Sequence, residues 1–155
     1  MYTAVLVLHS WLRWAALIAG VLAVASLASS KSSDGGSGQG EKWGLFFMIT
    51  LDVQFLLGLM LYLFISPNTT AMFGDFGAAM RDPVARFWAV EHVTLMLVAI
   101  VLAHVGRVLA RKAPSPAAGR SKMLICFVVA LVAIMAATPW PGMRAGRPLF
   151  RVTAP

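Results

Sequence analysis

The chain has 155 residues, of which 59% are hydrophobic and 12% are charged. That is more apolar surface than a water-soluble domain needs to fill one core, so we expect a protein whose outside faces lipid. The net charge of +7 would suggest nucleic acid in a soluble protein. Here the basic residues stand at the ends of apolar segments, where they set membrane topology, and we expect no nucleic-acid partner.

Four apolar segments stand near residues 4–27, 44–65, 87–110 and 123–139. Each is close to the ~20 residues that a helix needs to cross a bilayer. The pattern predicts an all-α, four-transmembrane-helix bundle that forms a single membrane domain over residues 1–155, with the lipid bilayer as its surroundings.

The connections indicate how the bundle is oriented. The segment from Gly106 to Lys122 has no acidic residue but contains Arg107, Arg111, Lys112, Arg120 and Lys122. This is a positive-inside signal, so we expect N-out/C-out topology. Three basic residues near the C-terminus argue against that orientation: Arg144, Arg147 and Arg151.

Two further connections have predictable character. The Gly/Ser-rich stretch from Ser29 to Lys42 predicts a mobile solvent loop. The predicted outer loop runs from Ser66 to Arg86. It contains four apolar residues at near-helical spacing: Met72, Phe73, Phe76 and Met80. We expect a short interfacial helix there, lying over the mouth of the bundle as a lid.

Aromatic residues cluster near the predicted span ends: Trp43, Phe87, Trp88 and Trp140. Such rings prefer the headgroup layer of a membrane. We therefore expect these four residues to mark the boundaries of the spans.

His9 and His92 each lie about five residues into a predicted span, and the first and third spans run in the same direction. The two imidazoles should therefore share one depth. In a four-helix bundle the first and third helices can face each other across the centre. Two histidines at one level on separate helices are what bis-imidazole ligation of an iron porphyrin requires.

Small residues follow each histidine on the same helix face. Positions seven and eleven residues later stay within about 20° of the starting face, and they are Ala16 and Gly20 after His9, and Ala99 and Ala103 after His92. This predicts a flat slot for a macrocycle. The alternative is that the small residues let helices pack closely and that each histidine is hydrogen-bonded in the core.

Arg13 lies one turn beyond His9, so it should face the interior and need an anion. The candidates are a haem propionate and Glu91. Trp11 and Trp14, beside Arg13, would wall a porphyrin or face lipid.

His104 follows His92 at a distance of ~18 Å along the helix but about 120° around it, which disfavours a second haem on these two residues. A second haem would need another ligand for His104, such as Met48 or Met123. Asp52 should reach a similar depth, so we predict an Asp52–His104 pair that exchanges protons with a quinone, with Gln54 as a further donor. The alternative is a structural hydrogen bond between the second and third helices.

Four sequence stretches resemble small bacterial four-helix integral-membrane b-type cytochromes: HSWLRW in the first span, FWAVEH and LAHVGR at the two ends of the third, and PWPGMRAGRPLFR at the C-terminus. The resemblance implies haem b held by His9 and His92, and electron exchange with a quinol pool or a partner redox protein in the bacterial inner membrane. The chain has three histidines where di-haem members use four, so the resemblance supports one haem near the outer face.

Two other functions stay open. One is a cofactor-free structural or assembly subunit of a larger membrane complex. The other is a proton-coupled transporter that uses Asp52, Glu91 and His104, which at this length would require a dimer.

Overall fold

The computed structural model of the chain describes residues 1–29 and 38–150. Seven α-helices and two π-helical turns make up the regular structure of this part: α1 (Tyr2–Ser29), α2 (Gly38–Met60), a π turn (Leu61–Ile65), α3 (Pro67–Gly74), α4 (Phe76–Arg81), α5 (Pro83–Arg86), a second π turn (Phe87–Glu91), α6 (His92–Arg111) and α7 (Pro116–Ala137). Most of the predicted solvent loop, and Arg151, lie outside the described residues.

Four helices are long and apolar enough to cross a membrane, which confirms the predicted all-α architecture. They cover Tyr2–Ser29, Gly40–Ile65, Pro83–Arg111 and Pro116–Ala137. The chain is therefore a multi-pass membrane protein by the length and composition of its helices. Each span starts earlier than the hydropathy pattern predicts, and the second, third and fourth do so because their helices include charged residues that precede the apolar segment.

The connection between the last two spans is much shorter than predicted, because α6 and α7 extend into the segment from Gly106 to Lys122. α6 ends at Arg111 and α7 begins at Pro116. Ser115 caps α7 by accepting a hydrogen bond from the Ala118 N–H at 3.3 Å. Proline at the first position has no N–H that needs a partner, so it starts the helix at little cost.

The spans form a ring in chain order. α1 packs on α2, α2 on α6, α6 on α7, and α7 on α1. The first and third spans are therefore diagonal partners across the centre of the bundle, as the sequence predicts for the helices that contain His9 and His92.

One half of the bundle is closely packed. Phe47 and Phe127 are fully buried and meet edge to face with ring centroids 5.3 Å apart. A Cβ atom added to Gly20 would stand 2.8 Å from the Phe47 ring and 2.7 Å from Leu131. Small residues thus let α1 approach its neighbours until no free space remains.

The predicted outer loop, residues 66–86, contains three short helices where the sequence predicts one. Ser66, Asp75 and Asp82 cap them, each accepting a hydrogen bond from a backbone N–H three residues later. A side-chain oxygen before each helix satisfies a donor that the helix itself leaves unpaired. The loop therefore folds as α3, α4 and α5, and residues of α3 and α5 lie over the end of the bundle.

Residues Thr138–Phe150, which we call the C-terminal segment, fold back onto the bundle. The carbonyl oxygen of Leu149 accepts hydrogen bonds from Arg13 Nη2 at 2.8 Å and Trp14 Nε1 at 3.1 Å. Phe150 stacks on Trp14 with ring centroids 5.4 Å apart. The segment is therefore fixed to α1 near the middle of that helix.

Candidate functional site

A cavity of about 400 Å³ occupies the other half of the bundle, within the range of roughly 300–1,000 Å³ typical of small-molecule and cofactor sites. Its lining comes from all four spans, the predicted outer loop and the C-terminal segment. The polar and charged residues among them are Tyr2, His9, Ser10, Arg13, Gln54, Tyr62, Ser66, Asn68, Thr69, Trp88, His92, Thr138 and Arg147. The remaining lining is apolar or glycine.

His9 and His92 both line this cavity. They come from the diagonal helices α1 and α6. The structure therefore brings these two imidazoles to one cavity, as the depth argument from the sequence predicts.

The His92 ring is held in place from two sides. Its Nδ1 lies 2.8 Å from the Ala137 carbonyl oxygen at the end of α7. Because a carbonyl oxygen only accepts hydrogen bonds, Nδ1 donates and Nε2 keeps its lone pair. The rings of Trp88 and Phe87 pack on the imidazole, with centroids 5.5 and 5.9 Å away.

His9 is positioned by α2. A Cβ atom added to Gly58 would stand 3.0 Å from His9 Cε1, so a side chain at this position would press on the imidazole. Gln54 Nε2 donates to the His9 carbonyl oxygen at 2.9 Å. Among the described residues, the buried His9 Nδ1 has no hydrogen-bond partner.

Two π turns border the cavity. In the second, the backbone N–H of His92 donates to the Phe87 carbonyl oxygen, the five-residue spacing of a π turn. Such turns are rare and often occur at functional sites. Tyr62, in the first π turn, donates its hydroxyl hydrogen to the Ala89 carbonyl oxygen at 2.6 Å. This hydrogen bond joins the two π turns.

The charge of the cavity is positive. Arg13 and Arg147 line it, and no aspartate or glutamate does so in the part of the chain that the structure describes. Glu91 bonds instead to Arg86, with Arg86 Nε 2.7 Å from Glu91 Oε1. The predicted alternative of an Arg13–Glu91 pair is therefore wrong, because a closer arginine takes the carboxylate.

The predicted slot of small residues only partly coincides with the cavity. Ala16 lines it, whereas Gly20 packs against Phe47 and Leu131. Ala99 and Ala103 are fully buried in the core. These three residues serve close helix packing and do not line the cavity, so the structure does not bring them together with the two histidines.

Asp52 and His104 form the pair that the sequence predicts. His104 Nε2 lies 3.5 Å from Asp52 Oδ1, and the side chains are 45% and 43% exposed, respectively. His104 Nδ1 donates to the Ile100 carbonyl oxygen at 2.9 Å. Neither residue lines the cavity, so the pair lies on the outer surface of the bundle between α2 and α6.

Gln54 faces the cavity and not the Asp52–His104 pair. It is buried and lines the cavity that contains the histidines. Its predicted role as a further donor beside Asp52 is therefore wrong, because a separation of two residues on a helix turns the side chains apart by about 200°.

Sequence reasoning missed the roles of two lining residues. Trp88 was expected in the headgroup layer, yet it borders the cavity next to His92. The Arg147 guanidinium lies over the Trp88 ring, 5.3 Å from its centroid. The only signal for Arg147 was that it stood among C-terminal basic residues with no nearby acid.

Trp11 and Trp14 do not line the cavity. Their rings contact Phe150, at 5.3 and 5.4 Å between centroids. They hold the C-terminal segment against α1, so the structure does not place them in the wall of this cavity.

The described residues gather no group of three or more metal-binding side chains of histidine, cysteine, aspartate or glutamate. A haem iron needs only two from the protein, because the porphyrin supplies four nitrogens. Comparison of the chain with family models, with curated proteins and with solved structures finds no match.

Proposed function

We propose that this protein is a membrane b-type cytochrome of the bacterial inner membrane that binds one haem b near the outer face, with both chain termini outside. His9 and His92 would hold the haem iron. The observation that supports the proposal is that these two histidines, on diagonal helices, line one cavity. The protein would transfer electrons to or from a quinol pool or a partner redox protein.

The residues present fit a haem in three respects. The cavity is mostly apolar, as a porphyrin face requires, and its volume lies in the range of cofactor sites. His92 donates from Nδ1 to a carbonyl oxygen, the arrangement that orients an imidazole ligand and raises its basicity. Arg13 supplies positive charge beside His9 for a propionate.

When bound, haem b supplies one-electron chemistry at its iron. The chain determines how that chemistry is used. Because Ala137 accepts from His92 Nδ1, the Nε2 lone pair is the one available for the iron. Gly58 leaves space for the His9 ring and limits its movement. The mostly apolar lining lowers the polarity around the site, and this polarity is one of the factors that set a haem potential.

The Asp52–His104 pair supplies the proton exchange that a quinol reaction needs. It is half-exposed on the outer surface of the bundle, where a quinone dissolved in the bilayer has access. His104 already donates from Nδ1, so an ion pair with Asp52 requires a proton on Nε2 as well. Nε2 is therefore the atom that we propose to take up a proton when a quinol is oxidised and to release one when a quinone is reduced, with Asp52 stabilising the charged ring.

The visible spectrum of the purified protein tests the proposal. The protein is expressed with haem supplementation, purified in mild detergent, and its dithionite-reduced minus air-oxidised spectrum is recorded. We expect the sharp α band of bis-imidazole haem b. His9→Ala and His92→Ala should each abolish that band, while His104→Ala should keep it.

A featureless spectrum from folded, haem-supplemented protein would overturn the proposal. The structural or assembly subunit would then be the better account, because the histidines would only tie helices together. Equal haem content in all three histidine variants would overturn the ligand assignment while leaving a cytochrome.

A further inference from the structure

We infer that Arg147 binds a carboxylate of the cavity's occupant, which for haem b is a propionate, and that the C-terminal segment thereby forms the anion-binding side of the cavity. This inference rests on the proposed function. It adds to that function a binding residue and an orientation for the cofactor.

The first observation is that Arg147 places a positive charge beside apolar surface. Its side chain borders a mostly apolar cavity and belongs to neither of the ion pairs in the described part of the chain, Arg86–Glu91 and Asp52–His104. A cation beside apolar surface is costly unless an anion accompanies it. The planar guanidinium group matches a carboxylate with two parallel hydrogen bonds.

The second observation is the place of this charge relative to His92. The Arg147 Cζ atom lies 5.3 Å from the centroid of the Trp88 ring, whose own centroid lies 5.5 Å from that of His92. The guanidinium and the imidazole of His92 therefore both contact the Trp88 ring. A cation this near to a proposed haem ligand is available to the carboxylates of the same cofactor.

The third observation is an unsatisfied donor at the same position. Trp88 Nε1 is buried and has no hydrogen-bond partner within residues 1–29 and 38–150. Buried N–H groups are nearly always paired, because leaving one unpaired costs about 1–3 kcal/mol. An acceptor that enters the cavity beside Arg147 is a candidate partner for this N–H group.

The C-terminal segment gives Arg147 a defined position. The Arg147 backbone N–H donates to the Pro139 carbonyl oxygen at 3.0 Å, and Pro148 restricts the preceding residue to extended conformations. Two residues later, Leu149 is bonded to Arg13 and Trp14. The segment therefore bridges α1 and the third span, the two spans that contain the histidines.

The experiment compares two haems that differ only in their carboxylates. Full-length apoprotein in detergent is titrated with protohaem and with its dimethyl ester, and affinities are read from the Soret band. The variants are Arg147→Gln, Arg147→Lys and Arg144→Gln. Arg144 is the matched control, since it is an exposed arginine of the same segment that does not line the cavity.

We expect the wild-type protein to bind protohaem more tightly than the ester, and Arg147→Gln to lower the protohaem affinity by roughly 10- to 100-fold, as the loss of a charged hydrogen bond predicts. The ester affinity should not change. The protohaem affinity of Arg147→Lys should lie between those of the wild type and Arg147→Gln. The affinity of Arg144→Gln should match that of the wild type. Thermal unfolding of the apoproteins shows that the variants are folded.

Equal binding of both haems by the wild type and by Arg147→Gln would overturn the inference and leave the cytochrome intact. An equal loss in Arg144→Gln would overturn it too, since the effect would then belong to the segment's charge in general. Failure of the folded wild type to bind either haem would overturn the proposed function together with the inference.

Discussion

His92 Nδ1 donates a hydrogen bond of 2.8 Å to the carbonyl oxygen of Ala137. Ala137 is the last residue of α7, so its carbonyl is one of the four that a helix leaves without a partner at its C-terminal end. This one hydrogen bond therefore gives a partner to a carbonyl at the end of the fourth span and fixes the tautomer of a histidine on the third. The Nε2 atom of His92 is left with a lone pair for an iron.

Replacement of His92 by glycine should give a protein that exogenous imidazole restores. We expect His92→Gly to lose the six-coordinate spectrum and imidazole to bring it back, because the freed space has the shape of the missing ring. Reduced spectra recorded with and without imidazole check this. His104→Gly should keep its haem without imidazole, and a need for imidazole there instead would contradict the ligand assignment.

The sequence predicted the helices and the two residue pairs of most interest, because each depends on local spacing. Apolar segments of membrane-spanning length define the spans. Depth within a span follows from residue number at a fixed rise per residue, which is enough to bring His9 to His92 and Asp52 to His104. The structure agrees on both juxtapositions.

The division of the bundle into a packed half and an open half could not be predicted in this way. Gly20 shares a helix face with His9, but the space beside it is filled by Phe47 of α2 and Leu131 of α7. Periodicity on one helix shows which residues share a face. It does not show which side chains from other helices fill the space opposite that face.

The position of the C-terminal segment could not be predicted from the sequence for a different reason. Residues 140–150 are rich in proline and glycine and have no helical period, so no regular element could be assigned to them. Their position depends on single contacts, such as those of Leu149 with Arg13 and Trp14. The roles of Arg147 and Trp88 therefore became apparent only from the structure.

Gly58→Ala tests whether α2 positions His9. The added methyl group would stand 3.0 Å from His9 Cε1, so the imidazole must shift. We expect haem affinity to fall by about 10- to 100-fold, as for other changes that displace a metal ligand. Gly44→Ala is the matched control, because its added methyl would stand 3.0 Å from the ring of Phe127 in the packed half. Equal haem affinity in both variants would count against a role for His9.

Asp52→Asn should separate proton exchange from haem binding. The amide keeps the size of the side chain but cannot accept a proton, so we expect slower reduction of the haem by a water-insoluble quinol and an unchanged spectrum. Stopped-flow measurement of haem reduction checks this. Arg86→Gln is the control, since it breaks the other half-exposed ion pair, and it should react at the wild-type rate. Unchanged kinetics in Asp52→Asn would make the pair a purely structural contact.

Phe150→Ala should loosen the C-terminal segment. Phe150 contacts both Trp11 and Trp14 through its ring, and losing an aromatic pair of this kind costs ~0.5–1.5 kcal/mol. We expect haem to dissociate roughly 2- to 10-fold faster, measured by transfer to a haem-scavenging protein. Met143→Ala, at an exposed position of the same segment, should leave the dissociation rate unchanged. A rate unaffected by Phe150→Ala would indicate that haem leaves by another route.

Gly106→Ala tests the closest approach of α6 to α7. An added Cβ would stand 2.7 Å from the Cβ of Cys126, a contact that both backbones must move to relieve. We expect a loss of about 1–3 kcal/mol in the free energy of unfolding, the usual cost of overpacking, measured by denaturant titration in mixed micelles. Gly74→Ala, where an added Cβ meets nothing within 4 Å, is the control. Because the clash is with a Cβ atom, adding Cys126→Gly to Gly106→Ala should recover part of the loss, whereas Cys126→Ala should not. If both double variants recover equally, the cost of Gly106→Ala arises elsewhere than in this contact.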